Sequence, residues 1–157
     1  MNYRLVDMPA DSEHSRVAAQ WGFEQWESLS SDESLEWYTN LHTAAEIDPN
    51  SLPVCIAAIT DNQVLAGTAS VMVDDELPGS TEPGPWLAAV FVNPDFRGKG
   101  IGSLLVTDVM RRARLLGVGD LYLYTETKAE WYETLGWERV REDYNLNRPV
   151  TVMVHRV

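Results

Sequence analysis

Residues 90–106, VFVNPDFRGKGIGSLLV, pass from an apolar segment through a glycine cluster into a second apolar segment. Gly98, Gly100 and Gly102 alternate with Lys99 and Ile101, and Arg97 stands just ahead of them. The preceding WLAAVFV (86–92) reads as a buried strand, too apolar to face water on one side. Residues 100–116 read as a helix, with Ile101, Leu105, Val109, Ala113 and Leu116 on one stripe and Gly117 as the stop. The glycines therefore lie at the carboxyl end of a strand and the amino end of a helix. Unpaired N–H groups and the positive end of the helix dipole favour an anion there, a phosphate above all. Arg97 and Lys99 add cationic donors on flexible stems. Two nucleotide readings fail on spacing. The third glycine of a dinucleotide loop would fall at Ser103, and Lys99 is followed by Gly100 where a Walker loop needs Ser or Thr. A glycine-rich turn that binds nothing is the plain alternative.

Outward from this stretch, DLYLYT (120–125) supplies a second strand, and strand, glycine turn, helix and strand make a βαβ unit. Such crossovers are right-handed and join parallel strands. Upstream, YRLVDM (3–8) alternates as a first strand, and a helical pattern runs from Asp11 to about Glu27. A second helix covers 30–46, with Ser31 or Asp32 as its cap and Leu35, Tyr38, Leu41 and Ala45 on one face. PVCIAAIT (53–60) and VLAGTASVMV (64–73) read as a hairpin, and DDELPGSTEPGP (74–85) as a loop. Downstream, KAEWYETLG (128–136) is a short helix, and 137–146 and 150–157 are a closing pair of strands.

Composition narrows the function classes. The 157 residues, 45% of them apolar, fit one domain (1–157) with a real core. A net charge of −12 disfavours nucleic acid, which selects basic faces. No apolar run reaches the roughly 18 residues that span a bilayer, and no signal peptide is evident, so no membrane partner and a cytoplasmic location are expected. Cys55 is the only cysteine and reads as a buried strand thiol. His14, His42 and His155 lack ligand-like spacing, so no metal is expected.

Arg97-Gly98-Lys99-Gly100-Ile101-Gly102, an Arg-x-x-Gly-x-Gly between strand and helix, resembles the pyrophosphate-binding motif of the GNAT superfamily of acetyl-CoA-dependent N-acetyltransferases. AEWYETLGW (129–137) is similar to the family's later segment, in which an aromatic-Tyr pair precedes a Leu-Gly-aromatic turn. The order of elements agrees along essentially the whole chain. The resemblance implies an α/β (α+β) fold: a mixed, mostly antiparallel central sheet, flanked by helices, with one splayed parallel strand pair. It also implies that acetyl-CoA is the acyl donor. The backbone of Val90, Phe91 and Val92 would pair with the pantetheine arm, and Arg97, Gly98, Lys99, Gly100, Ile101, Gly102 and Ser103 would hold the pyrophosphate. Tyr132 falls at the family's general-acid position; a phenol with a reference pKa of about 10 is protonated at neutral pH and can donate to a departing thiolate. The plain alternatives are a core aromatic beside Trp131 or a hydrogen bond to the CoA sulfur without proton transfer.

Two departures bear on the site. Many members place Asn where this chain has Thr125; either its hydroxyl substitutes at the cofactor or the contact is lost. Some carry a Glu base on or before the signature strand, and GPWLAAVFV (84–92) has no acid. Asp75, Glu76 and Glu24 are the candidate bases, each with a solvated loop or surface acid as its plain alternative. Trp21, Phe23, Trp26 and Trp86 are the candidate acceptor walls, suited to a cation, although tryptophan at helical spacing commonly belongs to a core. The expected activity is transfer of acetyl to a primary amine of a small molecule or peptide by direct attack in a ternary complex, with a homodimer possible. The alternative is a non-catalytic acyl-CoA sensor or interaction module that retains the cofactor loop.

Overall fold

The computed structural model describes residues 2–26, 35–48, 50–74, 77, 79–145 and 147–157. In chain order the elements are β1 (Tyr3–Asp7), α1 (Glu13–Trp26), α2 (Leu35–Ile47), β2 (Val54–Thr60), β3 (Leu65–Met72) and β4 (Trp86–Val92). They continue as a 3₁₀ turn (Pro94–Phe96), α3 (Ile101–Leu115), β5 (Asp120–Thr125), α4 (Ala129–Thr134), β6 (Glu138–Asn145) and β7 (Arg148–Arg156). The expected caps of the second helix, Ser31 and Asp32, lie outside the described residues. The strands form one sheet in the order β1-β2-β3-β4-β5-β7-β6. Every neighbouring pair is antiparallel except β4–β5. The exception is the strand–helix–strand unit: β4 reaches β5 through the crossover helix α3.

Strand alternation assigns the two faces. Ile56, Ala58, Leu87, Leu121, Leu123 and Met153 pack with Ile101, Leu105, Val106, Val109 and Ala113 of α3. Cys55, Ala57, Ile59 and Ala88 point the other way and pack with Ala18 of α1 and Leu41 of α2. The α3 stripe is the strongest local determinant: its five buried residues are at most 2% exposed, and burial of each larger aliphatic among them contributes about 1.5–3 kcal/mol. Helix α3 ends where Gly117 enters the left-handed region (φ 90°). The N–H of Gly117 donates to the Arg114 carbonyl and that of Val118 to the Ala113 carbonyl, closing a Schellman turn.

On the α1/α2 face the helices do not reach as far as β7, and the segment between β3 and β4 covers what they leave. Leu77 inserts among Trp86, Val150 and Val152, with Tyr122 and Tyr124 packed alongside. Glu82 holds the segment to β6: the Arg141 guanidinium donates to both of its carboxylate oxygens, at 2.7 and 3.0 Å. Those bonds keep the Glu82 carboxyl at about pKa 2, well below the usual range. Among the described residues no helix is long and apolar enough to cross a membrane.

The expectation of a uniformly buried strand at 86–92 is corrected in its second half. Trp86–Ala88 are buried, whereas Val90–Val92 are half-exposed. The apolar run that reads as two covered faces includes a stretch that has β3 on one side and no paired strand on the other.

Candidate active site

Strands β4 and β5 pair only at Trp86 and Tyr122 and then diverge, although β4 runs on to Val92 and β5 to Thr125. An open backbone edge results at the carboxyl ends of both. On its other side β4 stays paired with β3, and the Asn93 N–H still donates to the Ala66 carbonyl at 2.8 Å. Because ladder bonds alternate, Phe91 directs its backbone groups toward β3, and Val90 and Val92 direct theirs into the opening. The Val92 carbonyl accepts from Arg97 Nε at 3.0 Å, consistent with that orientation.

One irregularity punctuates β4. Thr68 pairs with Phe91 but Ser70 with Ala88, so two β4 residues oppose the single Ala69 of β3. Ala89 absorbs the extra length at φ 53°, a left-handed conformation uncommon for a non-glycine residue. Its carbonyl is held by the Thr68 hydroxyl at 3.1 Å. The bulge turns the strand midway along its open edge.

At the same end the glycine loop opens α3. Gly98 and Gly100 have φ values of 77° and 81°, and a Cβ on either would meet nothing within 4 Å. Backbone conformation, not crowding, requires glycine there. Gly100 is the N-cap of α3, and among the described residues no side chain caps the helix or accepts from the amides of its first turn. Gly102 differs in kind: it is helical, and a Cβ there would lie 3.2 Å from Trp131 Cζ2. Its hydrogen lets α4 approach the start of α3. The loop is shaped by Asn93, whose side-chain oxygen accepts from the Asp95 N–H while its Nδ2 donates to the Leu65 carbonyl. Arg97 folds back over Phe91, 5.4 Å from the ring centre, and Lys99 lies over Phe96. Both cations thus sit beside the loop, and Arg97 also anchors it to β4. Ile101 points into the core, so only its backbone faces the loop, and Ser103 is half-buried in the first turn of α3.

Tyr132 lies on α4, 8% exposed, between Trp131 and Trp137 at ring-centre separations of 4.8 and 5.9 Å. Thr125 ends β5, and its hydroxyl oxygen accepts from the Lys128 N–H at 3.0 Å, steering the chain into α4. That bond occupies an acceptor site of the residue expected to replace the family's Asn.

The expected acceptor residues separate in space. Trp21 of α1 stacks on Phe91, with ring centres 5.0 Å apart, and so borders the open end of β4. Phe23 is half-buried on the same helix, and Trp26 is its last residue. Trp86, at the end where β4 and β5 still pair, is 3% exposed among Tyr122, Tyr124 and Leu77. It supports the sheet from within the core instead of lining the opening. Glu24 is exposed and accepts from Gln20 Nε2. Asp75 and Glu76 lie outside the described residues.

Behind the bulge lies a cavity of about 10 Å³, close to the lower limit for one water molecule. Ala89 and Phe91 of β4, Thr68 and Ser70 of β3, Cys55 of β2, and Tyr38 and His42 of α2 line it. His42, 5% exposed, shares a 2.7 Å hydrogen bond between its Nδ1 and the Ser15 hydroxyl. Burial lowers its pKa from 6.5 to about 4 and raises that of the Cys55 thiol to about 12. The buried Ser15–His42 pair, with Asn93, Thr68 and the α4-facing role of Gly102, was missed in the sequence, whereas Cys55 is buried as expected. Asn93-Pro94 is a turn signal that sequence reasoning can weigh; burial of a lone His carries no such signal.

Comparison with known proteins agrees with this geometry. The model of the acetyltransferase (GNAT) family matches residues 14–137. The amino-acid acetyltransferase of Mannheimia succiniciproducens is 27% identical over an alignment of 77 residues that covers 43% of this chain and 18% of that protein. The chain thus matches less than a fifth of the length of that relative. An aminoglycoside 6'-N-acetyltransferase crystallised with coenzyme A superposes with a TM-score of 0.76 at 17% identity, over 98% of this chain and 96% of the other. N-acetylglutamate synthase from Neisseria gonorrhoeae, with coenzyme A and N-acetyl-glutamate, gives a TM-score of 0.71 at 17% identity, over 99% of this chain and 35% of the other. At these identities the superpositions establish the fold.

Proposed function

This chain belongs to the acetyltransferase (GNAT) family, and from that premise we propose that it is an acetyl-CoA-dependent N-acetyltransferase acting on a primary amine. The observation that carries the reading is the coincidence, at one end of the sheet, of the open β4 edge with the uncapped, glycine-opened start of α3. An extended arm bearing amides suits the first and a pyrophosphate suits the second. Val90 and Val92 offer strand-like bonds to the pantetheine arm. The amides from Gly98 to Ser103, with Arg97 and Lys99 beside them, hold the diphosphate, and Thr125 lies across the opening. Acetyl-CoA supplies the activated acyl group: the amine nitrogen gains the acyl carbon, the C–S bond breaks, and the sulfur leaves.

The chain's own residues then act on charge and protons. Of the two β4 amides expected to serve, Val90 and Phe91, that of Val90 faces the opening and meets the negative charge that develops on the acyl oxygen. The Tyr132 hydroxyl donates its proton to the departing sulfur. An alkylammonium of pKa about 10.4 is only about 0.04% neutral at pH 7, so a base must take its proton. Asp75, Glu76 and Glu24, directly or through water, are assigned that task. Transfer is direct, without an acetyl-cysteine, because Cys55 is 2% exposed and its thiol is pushed up to about 12 by burial.

Trp21 and Phe91, with Phe23 on the same helix as Trp21, form an aromatic side to the acceptor space and suit a cationic amine. The test is a screen of amines and peptides with acetyl-CoA, read by release of free thiol. Turnover on at least one amine, dependent on Tyr132, is expected. Tight binding of CoA with no turnover on any amine would support the sensor reading instead.

A further inference from the structure

We propose that Tyr38 of α2 sets the depth of an acyl pocket behind the β4 bulge and restricts the donor to short acyl groups, acetyl above all. The inference rests on the reading of the β4 opening as an acyl-CoA site and names which acyl-CoA it takes. An acyl chain held beside the bulge has two ways to run: into the cavity behind Ala89 and Phe91, or outward along the path by which the amine approaches. Only the first keeps that path free.

Tyr38 is one wall of this small cavity, and that wall is fixed. Tyr38 is 3% exposed, and its hydroxyl donates to the Gly22 carbonyl at 3.2 Å. The ring also lies so close to α1 that a Cβ on Gly22 would come within 2.6 Å of Tyr38 Cε1. Gly22 thus seats the ring against α1, and Trp37 packs against it edge-on at 4.9 Å. The ring cannot retreat to admit a longer chain. With room for about one water molecule, the cavity accepts a methyl group; each further methylene must displace packed side chains.

The test needs no acceptor. Calorimetric titration of the purified protein with CoA, acetyl-CoA, butyryl-CoA and hexanoyl-CoA compares affinities directly. Overpacking by two methylenes is expected to weaken butyryl-CoA about tenfold or more relative to acetyl-CoA. Tyr38→Ala should bring butyryl-CoA to within about threefold of acetyl-CoA, whereas Tyr38→Phe, which keeps the ring, should preserve the discrimination. Tyr38→Leu serves in place of the alanine variant if the latter does not fold. Equal affinity of the wild type for acetyl- and butyryl-CoA overturns the proposal, as does discrimination unchanged when the ring is removed. Absence of binding to CoA and every acyl-CoA would overturn the acyl-CoA reading itself, and the proposal with it.

Discussion

Lowering the pH from 7.5 to 5 should cost the fold about 2 kcal/mol through one side chain, His42. In the folded protein its pKa is lowered by burial to about 4, against 6.5 for an exposed imidazole. Between those values the unfolded chain binds a proton that the folded chain refuses, so stability rises with pH there. The stabilisation is complete above about pH 6.5 and is lost as pH falls toward 4. The full difference corresponds to about 3 kcal/mol, and at pH 5 the linkage integral gives about 2 kcal/mol. Acidic groups do not obscure this window. Glu82 goes from 4.5 unfolded to about 2 folded, so its contribution is lost only at lower pH. Asp108 and Asp143 are lowered from 3.8 and behave likewise. Urea unfolding at pH 7.5 and 5 measures the loss, which corresponds to a melting temperature lower by about 4–8 °C. His42→Gln should remove most of the pH dependence in this range. An imidazole signal titrating near 6.5 in the folded protein, or equal acid losses in wild type and variant, would refute the reasoning.

Further expectations follow from individual sites. Tyr132→Phe should lower turnover by about tenfold or more, while calorimetry finds the affinity for CoA little changed; full turnover with the true acceptor would exclude proton donation. Gly100→Ala keeps φ at 81° in open space, so the left-handed backbone alone should destabilise by about 1–2 kcal/mol and weaken CoA binding. The Cys55 thiol, 2% exposed and pushed up to about 12, should resist alkylation at pH 8 until the protein unfolds, and rapid labelling of the native state would contradict its burial. Glu82→Gln removes the charge from the carboxylate that Arg141 grips twice. It should loosen the segment between β3 and β4, seen as faster amide exchange near Leu77 with exchange in α3 unchanged.

Much of the donor side was legible in the sequence because its determinants are local. Period-3.6 burial marks α3 from Ile101 to Ala113, and glycine in left-handed turns marks both its ends. The strand–helix–strand order then imposes a parallel β4–β5 pair. The acceptor side was far less legible. Trp21 and Trp86 look alike as exposed-or-core tryptophans in a string of letters. One borders the opening against Phe91, and the other is sealed in by Leu77, Tyr122 and Tyr124. Their difference arises from chain segments more than 50 residues distant in one case and from a loop fold in the other.

The sequence by itself determined the glycine turn that opens α3, since orphan amides, glycine conformations and a helix start depend on neighbours within a few residues. Tertiary structure alone decided what lies beside that turn. The β4 edge is open because β5 leaves it after one registered pair, and Ala89 bulges because β3 is one residue short opposite it. Tyr38 is fixed because a glycine on another helix lets it sit there, and His42 is neutral because α1, α2 and three strands exclude water from it. Each depends on contacts between residues distant in the chain, and periodicity within a segment carries no record of the partner that will cover it.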